Sequence, residues 1–376
     1  MNFMLETRRR RFTLYALTII AGVVISCAVL ALIGYRSNQK LPTSPEITNR
    51  LGSLDKTRLA EALQLKAELG DKIWPGYAAL DAPVIIWNAD YEFLFGVVSP
   101  PDGWETVPDE NFAGQPYFRR KADNPQNFAV QVDDRWVASI FTKYLADAEL
   151  ISAIQDLLPP GIAAVFPYRV FIQPSELQIS AVQHEYFHVI QAEFAPQKFA
   201  AAEDVYGLDD RYWVRDEEMR SAWKTEVDLL IKAVQADNDG DAAELARQFL
   251  VARQQRRDEI SLPPDLVDYE RQFEWLEGLA KFAELESWRA ASQSIVYRPL
   301  PEMATDPDFK AYNTFDSRWN QEVAQTRRQA GVAGEVRFYY TGMLQAFLLD
   351  RLLPDWKIKI MENGIYLEDL LRVAVE

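Results

Sequence analysis

Histidine and cysteine are the scarcest chemically reactive residues in this sequence, with two His and one Cys among 376 residues. A single Cys excludes a disulfide framework within the chain. Basic residues are also in deficit: 40 Lys and Arg face 56 Asp and Glu, and the formal net charge is −16. We therefore expect no nucleic-acid partner, because binding to phosphates requires a basic face. Hydrophobic residues make up 48% of the chain, which indicates a folded, globular protein.

Charge is absent from one long run near the N-terminus. Residues 12–35 contain no charged side chain, and four consecutive arginines precede them at 8–11. A helix of about 20 apolar residues spans a bilayer, whereas the apolar region of a cleaved signal peptide is shorter. The run predicts an uncleaved transmembrane anchor at 12–35 behind a cytoplasmic tail at 1–11, with a cleaved signal peptide as the alternative. The positive-inside rule then places the remaining chain outside the cytoplasm.

Turn residues and hydrophobic periodicity divide the remaining chain into a linker and two regions. Residues 36–53 predict the linker, residues 54–145 a small α/β region, and residues 146–376 a mostly helical domain. The expected fold class is α+β. The predicted helices are 54–70, 147–158, 175–194, 210–236, 241–259, 264–291, 316–330, 335–352 and 365–374. The predicted strands are 83–87, 91–98, 127–132, 135–141 and 162–172.

Both histidines fall in one pentapeptide, residues 184–188, which has the pattern H-E-x-x-H. Residues four apart lie on one face of a helix, so His184 and His188 can bind one Zn²⁺. Glu185 follows the first of these ligands and is placed to act as general base on a water bound to the metal. The alternative is a pair of histidines packed on a core helix, which needs no metal.

A catalytic zinc site takes three protein ligands and keeps one position open. The sequence has no third His, so the remaining ligand must be a carboxylate. On the predicted helix 264–291, one stripe carries Glu274, Glu277, Lys281 and Glu284 among apolar residues, and buried carboxylates need a partner. A salt-bridged stripe, with Lys281 paired to Glu277 or Glu284, is the alternative. Acidic residues closer to the motif in sequence are reserve candidates: Glu203, Asp204, Asp209 and Asp210.

Residues 275–280 read W-L-E-G-L-A and resemble the W-L-x-E-G-x-A segment of gluzincin metallopeptidases of the aminopeptidase N type. In that family the Glu before the Gly is the third zinc ligand. The resemblance therefore implies Glu277 as a ligand beside His184 and His188. It also implies a domain with zincin-like active-site helices in residues 146–376.

Residues 337–342 read R-F-Y-Y-T-G and resemble the Y-x-x-G segment of the same family. That segment supplies a tyrosine whose hydroxyl stabilises the oxyanion of the transition state. The resemblance implies Tyr339 in this role, with Tyr340 in reserve. Aromatic packing on a helix is the alternative for both side chains.

The sequence thus predicts a membrane-anchored, extracytoplasmic zinc peptidase, with Zn²⁺ as cofactor and a peptide or protein as substrate. Exopeptidase and endopeptidase activity both stay open. The predicted strand 162–172 is expected to pair with an extended substrate along its edge. Two alternatives remain: a non-catalytic anchored protein that keeps a zincin-like fold to bind a partner, and a metal hydrolase that acts on something other than a peptide.

Overall fold

The computed structural model describes residues 22, 25–39, 41, 48–212 and 217–376. They belong to two compact units. The larger unit comprises residues 48–142 and 174–376, and the smaller comprises the described part of 1–47 together with 143–173. The units therefore divide at other positions than the predicted domain boundaries.

The larger unit is mainly helical and contains one small sheet. Its α-helices are Ser53–Ile73, Ser175–Phe194, Pro196–Asp204, Glu217–Gln235, Asp239–Glu259, Pro264–Phe273, Leu279–Gln293, Phe315–Gln329, Val336–Leu352, Trp356–Lys359 and Leu367–Val375. Short 3₁₀ helices lie at Val205–Arg211 and Pro301–Thr305. A π-helical turn, Glu274–Gly278, joins Pro264–Phe273 to Leu279–Gln293, and we call this continuous run the glutamate helix.

The sheet is mixed and has six strands in the order β3-β4-β2-β1-β6-β5. The strands are β1 (Val84–Trp87), β2 (Tyr91–Phe95), β3 (Glu105–Thr106), β4 (Phe118–Lys121), β5 (Phe128–Val132) and β6 (Arg135–Phe141). β1 pairs with β6 in parallel, and the other pairs are antiparallel. Because successive side chains point to opposite faces, Ile86 and Phe93 join the main helical core while Ile85 and Leu94 form a smaller core on the other face.

Strands and helices together make an α+β arrangement in general, but the predicted transmembrane helix is contradicted. Among the residues that the structure describes, no helix combines the length and the apolar character that a bilayer crossing requires. The described part of the predicted anchor is helical at residues 22 and 25–35. Residues 1–21, 23 and 24 lie outside the described residues. The anchor, its membrane contact and the single-pass, extracytoplasmic localisation are therefore not retained.

The predicted strand 162–172 is also wrong. The smaller unit contains the helices Lys143–Asp156 and Pro160–Ala163 and a 3₁₀ helix, Tyr168–Phe171. Prolines explain the difference, because Pro160 has the backbone angle that suits the first turn of a helix and Pro167 cannot donate to a sheet. The substrate-pairing edge expected at this segment is accordingly absent from it.

A buried ionic network ties the helices of the larger unit together. We call it the arginine–glutamate network; its members are Arg253, Arg256, Arg257, Glu226, Glu270, Glu274 and Glu368. All three arginines of the network lie on the helix Asp239–Glu259. Arg253 binds both carboxylate oxygens of Glu274, at 2.6 and 2.8 Å. Each carboxylate of the network contacts at least one guanidinium, so the buried charges are compensated.

Candidate metal centre

The helix Ser175–Phe194, which we call the motif helix, agrees with the prediction at 175–194. It packs against β6, the helix Ser53–Ile73 and the glutamate helix, so most of its surface is buried. His184, Glu185 and His188 lie on one part of it, and one ligand atom from each lies within 4.8 Å of the others. Their exposed fractions are 9%, 6% and 1%. The three side chains of the motif therefore lie close together, on a side of the motif helix that faces the protein interior.

The π turn of the glutamate helix presents Glu277 to these histidines. Glu277 Oε2 lies 3.3 Å from His184 Nε2 and 3.5 Å from His188 Nε2. Glu277 is only 3% exposed. The carboxylate expected from the resemblance is thus next to both imidazoles, although 88 residues separate it from the motif in sequence.

The reserve candidates lie elsewhere. Glu203, Asp204 and Asp210 are exposed. Asp209 accepts a hydrogen bond from the Tyr269 hydroxyl at 2.8 Å. Glu277 is therefore the candidate that the fold brings to the histidines.

Two glycines explain how a third helix reaches the site. Gly278 follows Glu277, and Gly342 lies in the helix Val336–Leu352. A Cβ added to Gly278 would lie 2.5 Å from the Gly342 Cα, closer than real Cβ atoms approach. Because neither position has a side chain, the helices cross in backbone contact. Tyr339, one turn before Gly342, is thereby brought beside Glu277.

The hydrogen bonds of His188 determine which of its nitrogens carries the proton. Gln191 Nε2 donates to the backbone oxygens of Trp275 and Leu276, at 2.7 and 3.0 Å, and this contact fixes the orientation of the amide. Gln191 Oε1 then faces His188 Nδ1 at 2.9 Å. Since an amide oxygen only accepts, Nδ1 must donate, and the neutral ring has a lone pair on Nε2. That lone pair faces Glu277 Oε2, which is also an acceptor.

His184 lies between two carboxylates. Its Nε2 faces Glu277, and its Nδ1 lies 3.5 Å from Glu284 Oε2. Glu284 is in turn bound by Lys281 Nζ at 2.7 Å. A carboxylate behind a histidine orients the ring and raises its basicity when the other nitrogen binds a metal. Lys281 therefore pairs with Glu284, as the salt-bridge alternative expected, but this pairing leaves Glu277 free for the histidines.

Burial and neighbouring charge shift the pKa values of the cluster in opposite directions. Burial acts to lower the pKa of His184, but hydrogen bonds to Glu277 and Glu284 outweigh it and raise that pKa to about 10. Burial lowers the pKa of His188, against the attraction of Glu277. Burial would raise the pKa of Glu277, yet His188 and His184 hold it well below its usual range. The cluster without a metal thus holds a proton on His184 at neutral pH.

Glu185 differs from the candidate metal ligands in its hydrogen bonding and in its pKa. Burial raises its pKa to about 8, against the attraction of His184. Its Oε2 is buried and has no hydrogen-bond partner among the described residues. A buried carboxyl group in this state is able to take up or release a proton near neutral pH.

The two predicted tyrosines differ in position. The ring of Tyr339 stacks on His184, with 6.2 Å between centroids, and burial together with the nearby charge of Glu277 raises the pKa of its hydroxyl. Burial first, and then the charges of Glu322 and Glu284, raise the pKa of Tyr340. Tyr339 is the tyrosine that the structure brings to the ligand cluster.

Residues that the sequence reasoning missed complete the surroundings. The Tyr206 hydroxyl donates to Glu277 Oε1 at 2.6 Å, and Phe128 of β5 packs on the His188 ring at 4.5 Å. Neither has a sequence signal, because both come from distant segments. Gln191 did have one, since it lies three residues after His188 and thus on the same helix face.

Comparison with known proteins adds no relative: no protein family, no curated protein and no solved structure matches this chain. The likeness to gluzincins consequently stays a resemblance of short segments, and the assignment of function depends on the geometry described above.

Proposed function

We propose that this protein is a zinc-dependent peptidase of the gluzincin kind. The observation that carries the proposal is the convergence of His184 Nε2 and His188 Nε2 on one buried carboxylate oxygen, Glu277 Oε2, at 3.3 and 3.5 Å. The unprotonated Nε2 of His188 and this oxygen are both acceptors and repel each other, and a cation between them would remove that repulsion.

The chemistry of the donors favours zinc among the common cations. Two imidazole nitrogens and one carboxylate oxygen are the ligand set of catalytic zinc sites, whereas calcium and magnesium prefer oxygen ligands alone. His184, His188 and Glu277 would hold the ion, with Glu284 and Gln191 behind the two rings. When bound, Zn²⁺ supplies a Lewis acid at this position.

The remaining side chains supply the proton transfers. Glu185, whose Oε2 is unpaired, accepts a proton from the attacking water as the oxygen bonds to the peptide carbon. It then gives that proton to the leaving amine as the carbon–nitrogen bond breaks. The Tyr339 hydroxyl, which belongs to the ring stacked on His184, donates to the oxyanion that forms in between. The choice of peptides as the substrate class is based on the resemblance to gluzincins.

Metal analysis of the purified chain tests the ligand set. We expect the wild-type protein to bind one zinc ion, and the variants His188→Ala and Glu277→Ala to lose it. If His188→Ala loses zinc but Glu277→Ala keeps it at full affinity, the third ligand is wrong. If the wild-type protein binds no zinc, the proposed function fails as a whole.

Turnover of a peptide library tests the mechanism. Glu185→Gln should keep zinc but lose at least about 100-fold in rate, because general acid–base catalysis contributes on the order of 10²–10⁴-fold. Glu176→Gln is the matched control: Glu176 is a buried glutamate of the same helix, hydrogen-bonded to the backbone of Lys310 and Tyr312. Full turnover by Glu185→Gln contradicts the mechanism. Zinc binding without any turnover favours a partner-binding protein or another type of hydrolase.

A further inference from the structure

The two parts of the metal centre come from different helices, and one buried amide connects them. Gln191 has no exposed surface and lies on the motif helix, three residues after His188. Its Oε1 accepts from His188 Nδ1 at 2.9 Å. Its Nε2 donates to two backbone oxygens of the π turn that carries Glu277. A single side chain thus contacts both sources of ligands.

The contact with the π turn is specific in position. The two acceptor oxygens belong to Trp275 and Leu276, the residues directly before Glu277. A π turn is rare, and such turns occur frequently at functional sites. The amide therefore stabilises the part of the glutamate helix whose geometry decides where the Glu277 carboxylate lies.

The same amide also selects the tautomer of His188. Because the two backbone oxygens can only accept, the amide cannot rotate without losing both bonds. Its oxygen consequently stays on the imidazole, the proton stays on Nδ1, and the lone pair of Nε2 stays directed at Glu277. A side chain that merely filled the core would impose neither condition.

We propose that Gln191 is a positioning residue that couples the two halves of the metal centre, by fixing the ligating tautomer of His188 and the register of the π turn that presents Glu277. The inference rests on the proposed metal centre. Outer-shell partners of metal ligands contribute about 10–100-fold to metal affinity. We expect Gln191 to contribute in this range.

The chain offers a matched control on the same helix. Gln183 is also fully buried; it accepts from the Tyr77 hydroxyl at 2.7 Å and donates to the backbone oxygen of Ala62 at 2.9 Å. Gln183→Met and Gln191→Met therefore remove equivalent buried amides, one away from the centre and one at it. Zn²⁺ affinity, measured by competition with a chromophoric chelator, should fall about 10–100-fold in Gln191→Met and change less than about threefold in Gln183→Met.

The tautomer provides a readout that does not require zinc. Since the chain has two His in all, a long-range ¹H–¹⁵N spectrum of the metal-free protein shows only two imidazoles. We expect protonated Nδ1 and unprotonated Nε2 for His188 in the wild-type protein and in Gln183→Met. Gln191→Met should lose this preference. A second variant, Gln191→Glu, keeps an acceptor for Nδ1, so it should retain the wild-type tautomer that Gln191→Met loses.

The outcomes separate the inference from the function beneath it. If the wild-type protein binds Zn²⁺ and Gln191→Met binds it as tightly as Gln183→Met, the positioning role is wrong while the metal centre stands. A wild-type His188 with its proton on Nε2 also overturns the role. If the wild-type protein does not bind Zn²⁺, the proposed function and the inference fall together. Should Gln191→Met not fold, as judged by circular dichroism, Gln191→Glu decides the same question.

Discussion

The metal centre and the arginine–glutamate network are both buried clusters of charge, and both draw on the glutamate helix. Glu270 and Glu274 of that helix face guanidinium groups, and Glu274 also accepts from the Thr341 hydroxyl at 2.7 Å. Glu277, one turn further on, faces two imidazoles instead. In the network each negative group has a permanent positive partner, whereas in the candidate metal centre Glu277 Oε2 faces the unprotonated Nε2 of His188.

From this difference we assign a structural role to the network, and the chemistry proposed above would take place at the candidate metal centre. A carboxylate bound by arginine is charged and fixed at any physiological pH, because a guanidinium does not lose its proton. A carboxylate beside histidines has a partner whose charge changes with a proton or a metal. The carboxylates of the network thus all have permanent cationic partners. Glu277 has none, and a bound metal ion would supply one.

The first prediction breaks the network. Arg253→Met leaves Glu274 without a guanidinium contact and Glu226 with Arg256 alone, and removing one partner of a buried ion pair costs about 3–5 kcal/mol. The free energy of unfolding in urea should fall by that amount. Arg247→Met, an exposed arginine of the same helix, is the control and should change it by less than about 1 kcal/mol. A loss below about 1 kcal/mol in Arg253→Met would mean that the network is not structural.

The second prediction concerns acid. Burial acts to raise the pKa of Glu368, but Arg253 and Arg257 outweigh it and lower that pKa from 4.5 to about 2. A lowered carboxyl pKa stabilises the fold above 4.5, and this contribution is lost as the pH falls through about 2. Unfolding in urea across that window should show a loss on the order of 3 kcal/mol. Constant stability over the window would contradict the pairing.

The third prediction sharpens the role of the carboxylate behind His184. Glu284→Gln removes the charge that faces His184 Nδ1 and should weaken Zn²⁺ binding about 10–100-fold. Glu286→Gln is the control, because Glu286 is also buried on this helix but pairs with Arg289. Chelator competition measures both. Equal affinities in the two variants would remove Glu284 from the centre.

The smallest effect is expected at the partly exposed phenol. Tyr206→Phe removes one hydrogen bond to the Glu277 carboxylate, worth about 1 kcal/mol, and should weaken Zn²⁺ binding roughly fivefold. Tyr269→Phe removes a similar bond to Asp209, away from the metal centre. We expect it to leave the affinity unchanged in the same competition assay. Identical results for both variants would show that Tyr206 does not act on Glu277.

Sequence patterns predicted the elements with strong local signals. The motif helix has the predicted bounds, and the glutamate helix extends over 264–293 where 264–291 was expected. The predicted strand at 162–172 is wrong because Pro167 interrupts this apolar run and cannot donate to a sheet. The predicted anchor at 12–35 is contradicted because no helix of the described residues is long and apolar enough to cross a bilayer.

Sequence patterns could not predict the contacts between segments that are distant in the chain. Helical spacing placed Glu274 and Glu277 on one stripe, but the π turn changes the local geometry and the two carboxylates have different partners. Nothing local distinguishes the glutamate that meets Arg253 from the one that meets His188. The same holds for Tyr206, which reaches Glu277 only because the chain folds back over the π turn.

The crossing of Gly278 and Gly342 has no space for even one added methyl group. A Cβ at Gly342 would lie 2.4 Å from the Glu274 backbone oxygen and 2.8 Å from the Gly278 Cα. Glu274 belongs to the network and Gly278 adjoins Glu277, so the intruding methyl group presses on both clusters at once. Gly278→Ala or Gly342→Ala would therefore disturb both clusters without altering a single charged side chain.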